Sequence, residues 1–221
     1  VFDSYIDRLR KNIDFGDFSV VWDTGNGAAG PAVDALVTGI SGIHKTLFTD
    51  VDGRFPNHHP NPVDPDTLKF LNEQVHSSGA ECGIGFDGDG DRIGVIDKTG
   101  RQVSGDLLTA FLSLDILDRH KGAEILFDVK SSSTALDIVR HAGGKPLLWR
   151  TGHSHMKKRL KELGAPLAGE MSGHIFIADD FYGFDDALYV ACRFLSRLTH
   201  MKQERNESLA DFLDRLPPSF T

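Results

Sequence analysis

What most constrains this chain is that it states one plan twice. The segment SVVWDTGNGAAGPAVDAL, from Ser19, is answered by EILFDVKSSSTALDIV, from Glu124. Each reads as an apolar strand, an aspartate at its end, a turn of small residues and a helix carrying Ala and Asp. Further along, GAECGIGFDGDGDR is answered by GAPLAGEMSGH: a Gly-Ala pair, a short apolar stretch and a polar loop before another strand. Asp23 and Asp128 lie 105 positions apart but Gly79 and Gly164 only 85, so the first copy carries 20 extra residues. They are best assigned to the segment Asp50 to Asp66, where Pro56, Pro60, Pro62 and Pro65 impose an extended loop.

Strands are expected at Phe18–Trp22, His44–Phe48, Ala80–Phe86, Ile93–Asp97, Glu124–Phe127, Pro146–Trp149 and Ile175–Ala178. Between them fall helices at Val1–Ile13, Pro31–Leu36, Asp66–Ser77, Ser104–Asp118, Ser133–His141, Ser154–Leu163, Asp185–Leu198 and Ser208–Arg215. The alternation predicts an α/β fold of two similar domains, each a mostly parallel mixed sheet flanked by helices. The polar turn Lys98–Arg101 marks the break, giving domains over 1–100 and 101–216. The loops DGDGDR and GEMSGH then occupy equivalent places and are expected to face one site.

Composition narrows the partners. Against 24 Lys+Arg stand 32 Asp+Glu, a formal charge of −8, which argues against a nucleic-acid binder. No apolar run is long enough to span a membrane and VFDSYIDRLRKN is no signal peptide, so no membrane partner is expected. Cys82 and Cys192 sit in apolar segments and read as reduced core thiols of a cytoplasmic protein.

The chemistry concentrates at Asp87-Gly-Asp89-Gly-Asp91-Arg92. Three carboxylates at alternate positions repel one another, so a folded loop holding them together needs a cation. Oxygen ligands without His or Cys favour Mg²⁺ over Zn²⁺. An EF-hand is excluded, because Arg92 and Lys98 stand where its template needs Gly and Glu. Arg92 would then lie beside the metal, its fork matched to phosphate oxygens.

Other motifs are weaker taken alone. Gly25-Asn-Gly27-Ala-Ala-Gly30 fits a dinucleotide fingerprint formally, but its helix is short for a full Rossmann unit and a structural turn is the better reading. Glu170, Ser172 and His174, set between glycines in GEMSGH, can accept and donate hydrogen bonds to adjacent sugar hydroxyls, though an ordinary polar turn would look the same. Thr151-Gly152-His153-Ser154 opens a helix, where free N–H groups attract anions or are simply capped by Ser154. Lys130, at a strand end, could reach a phosphate or stand in solvent. Lys157, Lys158, Arg159 and Lys161 read as a solvated face, and His58-His59 as a packing or domain-contact element.

Taken together and in order, DTGNGAAG, FPNHHPNP, GFDGDGDR, TGHS and GEMSGH resemble the α-D-phosphohexomutase superfamily, nearest to its phosphomannomutase/phosphoglucomutase branch, from about Phe18 to Thr199. Members have four domains, and this chain resembles the second and third. The first domain's catalytic serine has no counterpart here, NHHPNP lacking the serine, and residues 217–221 would begin a linker to the fourth domain. The resemblance implies reversible phosphoryl transfer between the 1- and 6-positions of a hexose phosphate, through a hexose 1,6-bisphosphate and a phosphoserine from outside the chain. It implies that Asp87, Asp89 and Asp91 hold Mg²⁺, that Arg92 contacts phosphoryl or substrate, and that Glu170 and Ser172 grip sugar hydroxyls. His174, His153 and Lys130 would line the cleft, a histidine serving as acid/base. Two rivals remain: phosphoglucosamine mutase, against which Met171 stands where that enzyme's loop has Gln, and a non-catalytic phosphosugar- or nucleotide-binding module.

Overall fold

Two Gly-Ala pairs show how literally the plan repeats. Gly79 and Gly164 close their helices in the left-handed conformation, φ 66° and 63°. The following alanines then donate back into the last turn, Ala80 N–H to Val75 C=O and Ala165 N–H to Leu160 C=O. A side chain at either glycine would meet nothing, so the glycine answers to backbone conformation rather than to space.

The computed structural model describes residues 1–217. The first half runs α1 (Phe2–Arg10), β1 (Ser19–Asp23), α2 (Gly30–Val37), β2 (Ile43–Leu47), α3 (Lys69–Ser78), β3 (Cys82–Phe86), β4 (Ile93–Asp97) and β5 (Gln102–Val103). The second runs α4 (Gly105–Arg119), β6 (Glu124–Asp128), α5 (Ser133–His141), β7 (Lys145–Trp149), α6 (His153–Leu163), β8 (Leu167–Gly169), β9 (Ile175–Ile177), α7 (Ala187–Arg205) and α8 (Leu209–Asp214). The first sheet is ordered β2-β1-β3-β4-β5 and the second β7-β6-β8-β9. In each, the opening strand pairs in parallel with its two neighbours, and the third strand turns back antiparallel on the fourth. The expected α/β architecture of two similar mixed sheets flanked by helices is the observed one.

The differences are local. The turn at Lys98–Arg101 joins β4 to β5 inside the first sheet, so that sheet continues to Val103, and the second half opens at Ser104, the N-cap of α4. Helix α1 stops short of Ile13 because Asn12 takes a positive φ. Helix α7 runs past Leu198 to Arg205, its extension held by buried Thr199 and Met201. The assigned linker 217–221 lies outside the described residues beyond Pro217.

Helices cover both faces of each sheet. Helix α3 packs Leu71 and Val75 on Val21 and Ile96, and α6 packs Met156 and Leu160 on Leu126 and Phe176. The other faces share a single core. Trp22, Ile84 and Phe86 of the first sheet and Ile125, Phe127 and Ile175 of the second join one apolar cluster through α4 and α7. At roughly 25 cal/mol per Å² of apolar surface buried, such a shared core fixes the two hairpin loops against each other far more firmly than a linker could. Cys82 and Cys192 are buried free thiols, raised by burial and so held protonated.

Candidate functional site

The β3–β4 hairpin carries Asp87–Arg92 and the β8–β9 hairpin carries Glu170–His174. The two loops meet edge to edge. Ile93 N–H donates to Gly173 C=O at 3.1 Å, and Arg92 and His174 form an isolated antiparallel bridge. Gly173 has φ +90°, and a Cβ there would lie 2.6 Å from the Ile93 carbonyl oxygen, so only glycine lets the loops approach. Two further contacts fix the acidic loop: Ala28 N–H to Gly88 C=O and Ala187 N–H to Gly90 C=O. A side chain at Gly27 would fall within 2.9 Å of the Asp87 and Gly88 carbonyl oxygens. The GNGAAG turn is thus a platform packed directly beneath the acidic loop.

Asp87 shapes that loop. Its Oδ1 accepts from the N–H groups of Gly90, Asp91 and Arg92 at 3.0–3.1 Å, and its Oδ2 from Arg92 Nε at 2.7 Å. Burial opposes its ionisation, but the bonds from Arg92 outweigh it and hold the carboxyl below its usual range. Asp89 and Asp91 join it: one oxygen from each of the three carboxylates falls within 4.8 Å of the other two. Asp91 moves the opposite way. Burial raises it, Asp87 and Asp89 add to the rise, and the attraction of His174 does not cancel them. Surplus negative charge therefore collects on an all-oxygen donor set that fits a hard divalent ion.

The facing loop is closed on itself. Glu170 is 2% exposed. Its Oε1 accepts from Gly152 N–H at 2.5 Å, and its Oε2 from the Ser172 hydroxyl at 3.2 Å with His174 Nδ1 at 3.4 Å. The same hydroxyl lies 2.9 Å from His174 Nδ1, while His174 Nε2 faces Asp91 Oδ1 at 3.3 Å. Burial pushes the His174 pKa down, yet Glu170 and Asp91 together carry it above the ordinary histidine value. Glu170 is depressed in turn: burial raises it, and His174 and the Gly152 N–H more than compensate.

The structure therefore gathers Asp87, Asp89, Asp91, Arg92, Glu170, Ser172 and His174 at one junction. His153, half exposed at the start of α6, stacks over His174 at 5.7 Å. Lys130 is exposed and its side chain has no bonding partner among the described residues. Its backbone N–H donates to Asp128, whose other oxygen accepts from Met171 N–H, so Lys130 borders the site without entering the cluster.

Two contributors escaped the sequence reading. Asn61, from the proline-rich loop, accepts from Arg92 Nη1 at 3.1 Å. Asp185 takes Lys157 Nζ at 2.9 Å and stands 3.9 Å from His153 Nδ1. Lys157 is accordingly no solvated charge, whereas Lys158 remains exposed. Nothing local marks Asn61 or Asp185, which read only as part of the proline-rich loop and as the first residue of an expected helix. His58 packs against Phe48 and Phe70 and meets both Asp23 oxygens at 3.0–3.1 Å, the packing role its motif suggested.

Residues 3–100 match the family description "Phosphoglucomutase/phosphomannomutase, alpha/beta/alpha domain II" and residues 104–220 match "alpha/beta/alpha domain III". The chain belongs to the phosphoglucomutase/phosphomannomutase family. It is 45% identical over 213 residues to a phosphomannomutase/phosphoglucomutase of Pseudomonas putida, covering 94% of this chain and 46% of that protein. A phosphomannomutase/phosphoglucomutase of Pseudomonas aeruginosa is 41% identical over 209 residues, with 94% and 45% covered. A crystal structure of a phosphoglucomutase/phosphomannomutase family protein from Burkholderia thailandensis superposes with a TM-score of 0.91 at 42% identity, over all of this chain and 47% of that one. The chain thus spans about half the length of the relatives it matches. Among the described residues no helix is long and apolar enough to cross a membrane.

Proposed function

We propose that this chain supplies the metal-binding and sugar-recognising half of a Mg²⁺-dependent phosphohexomutase that interconverts hexose 1- and 6-phosphates through a hexose 1,6-bisphosphate. The observation that carries the reading is the convergence of Asp87, Asp89 and Asp91 on a loop bonded edge to edge with the GEMSGH hairpin.

Asp87, Asp89 and Asp91 would hold Mg²⁺, which when bound neutralises charge on a phosphoryl group in transit. Arg92 is anchored through Nε on Asp87 and Nη1 on Asn61, and among the described residues its Nη2 has no partner. That leaves one arm of the fork for a phosphoryl oxygen. Ser172 and Glu170 would take ring hydroxyls, the Ser172 oxygen and each Glu170 carboxylate oxygen having lone-pair capacity to spare. His174, held by Glu170 on one side and Asp91 on the other, is the acid/base candidate, with His153 and Lys130 at the rim. Contacts central to the ring suit a substrate that must bind in two orientations. The phosphoserine and the phosphate grip of a four-domain mutase would come from parts of the protein outside this chain.

The test is turnover of mannose 1-phosphate by the whole protein, primed with bisphosphate. Mannose 6-phosphate should form, and chelation of Mg²⁺ should stop it. Absence of turnover, or turnover indifferent to Mg²⁺, contradicts the assignment.

A further inference from the structure

Beside the all-carboxylate set lies a second donor cluster of different chemistry. One atom each from Asp91, His174 and Asp185 lies within 4.8 Å of the other two. The residues come from both halves of the molecule: Asp91 from the β3–β4 loop, His174 from the β8–β9 loop, and Asp185 from the approach to α7.

Two details make this more than an acidic patch. First, the imidazole is oriented from behind. The Ser172 hydroxyl has one proton, which it gives to Glu170 at 3.2 Å, so its oxygen is left to accept from His174 Nδ1–H at 2.9 Å. Nε2 is thereby turned towards Asp91. This is the carboxylate–histidine arrangement by which proteins set an imidazole for a metal. Second, Asp185 is incompletely satisfied. Its side chain is 7% exposed, Lys157 takes Oδ1, and Oδ2 is buried with no hydrogen-bond partner among the described residues. His153 Nδ1 stands 3.9 Å from that oxygen, beyond hydrogen-bond reach. A buried carboxylate oxygen without a partner is costly unless something else occupies the space before it.

We infer that Asp91, His174 and Asp185 form a second divalent-cation site, selective for a borderline first-row ion such as Zn²⁺ or Co²⁺. Mixed imidazole and carboxylate donors suit such ions, whereas Mg²⁺ takes oxygen only. His153 stands ready as a further nitrogen donor. Because Asp91 belongs to both clusters, the two ions oppose each other: filling the mixed site withdraws a ligand from the all-oxygen one. The inference does not depend on phosphoryl transfer, since it concerns binding alone.

Co²⁺ titrated into the metal-free protein tests it, followed by visible absorption and by the paramagnetically shifted Nδ1–H resonance of the coordinated imidazole. The expected result is one site showing that imidazole signal, with affinity falling at least about 10-fold in both His174→Gln and Asp185→Asn. Asp89→Asn, which lies outside the mixed set, should keep the signal, and Mg²⁺ binding retained by Asp185→Asn shows that variant to be folded. Two results overturn the inference. One is Co²⁺ binding lost in Asp89→Asn but retained in both other variants, which puts the ion among the three aspartates. The other is absence of any shifted imidazole resonance.

Discussion

Two hairpin loops in the first sheet use the same clasp to different ends. In the β4–β5 turn, Asp97 is fully buried, and its Oδ1 accepts from Thr99 N–H, Thr99 Oγ1 and Arg101 N–H at 2.6–3.0 Å while Oδ2 takes Arg101 Nε at 3.0 Å. In the β3–β4 loop, Asp87 does the same with three backbone N–H groups and Arg92 Nε. An aspartate that gathers the turn's amides and ends on its own arginine is thus a folding device, present where there is no chemistry. The difference lies in what is left over. The Asp97 turn has no further acid, and its arginine is spent on Asp214 and the Ala210 carbonyl of the last helix. The Asp87 loop adds Asp89 and Asp91, whose charge nothing among the described residues fully neutralises. The surplus carboxylates gathered beside Asp87, not the Asp87–Arg92 pair itself, call for a cation.

The largest expected contrast is in stability. Asp97→Asn strips a buried carboxylate from three donors and one guanidinium and should cost about 3 kcal/mol in urea unfolding, with Mg²⁺ affinity unchanged. A Mg²⁺ affinity that fell with it would mean the two loops are not separable. Next comes Gly173→Ala, which forces a Cβ into the Ile93 carbonyl at a positive φ and should cost about 2 kcal/mol. Hydrogen exchange at the Ile93 amide, bonded to Gly173, should accelerate, while that of Asp97, bonded to Arg101, stays slow.

Smaller, and opposite in sign, is Asp91→Asn in the metal-free protein. The Asp91 carboxyl is raised in the folded state by burial and by Asp87 and Asp89, so its ionisation works against folding. That penalty is present at neutral pH, shrinks as pH falls through the raised folded value, and is gone below the usual carboxylate value. Asp91→Asn should therefore raise the melting temperature slightly at pH 7 without metal, and remove that part of the acid-side pH dependence. A drop instead would mean that the contact with His174 outweighs the repulsion.

The smallest effect belongs to the clasp outside both loops. His58 is raised by its hydrogen bond to Asp23, so its stabilisation is complete below the ordinary histidine value and fades as pH climbs through the elevated one. His58→Gln should flatten the stability profile in that interval, as followed by thermal melts across pH.

Sequence alone carried the site as far as local pattern reaches. Alternating aspartates, glycines at the turns and repeated Gly-Ala pairs are short-range signals, and the duplicated plan put DGDGDR and GEMSGH in equivalent loops. Strands β5 and β8 are two and three residues long, too short for a period to show. Asn61 and Asp185 enter the site only through tertiary approach, 31 residues from Arg92 and 28 from Lys157. The burial of Glu170 was equally invisible, because it depends on the Gly152 amide 18 residues away.

The most direct test of the central claim is a calorimetric titration of Mg²⁺ into the metal-free protein and its Asp89→Asn variant. Asp89 is exposed at the loop's rim and takes no part in the clasp, so the substitution should leave the fold intact. One Mg²⁺ per chain should bind, with affinity reduced by at least about 10-fold in the variant. Equal binding by both proteins, or no Mg²⁺ binding by either, would contradict a cation held by the three aspartates.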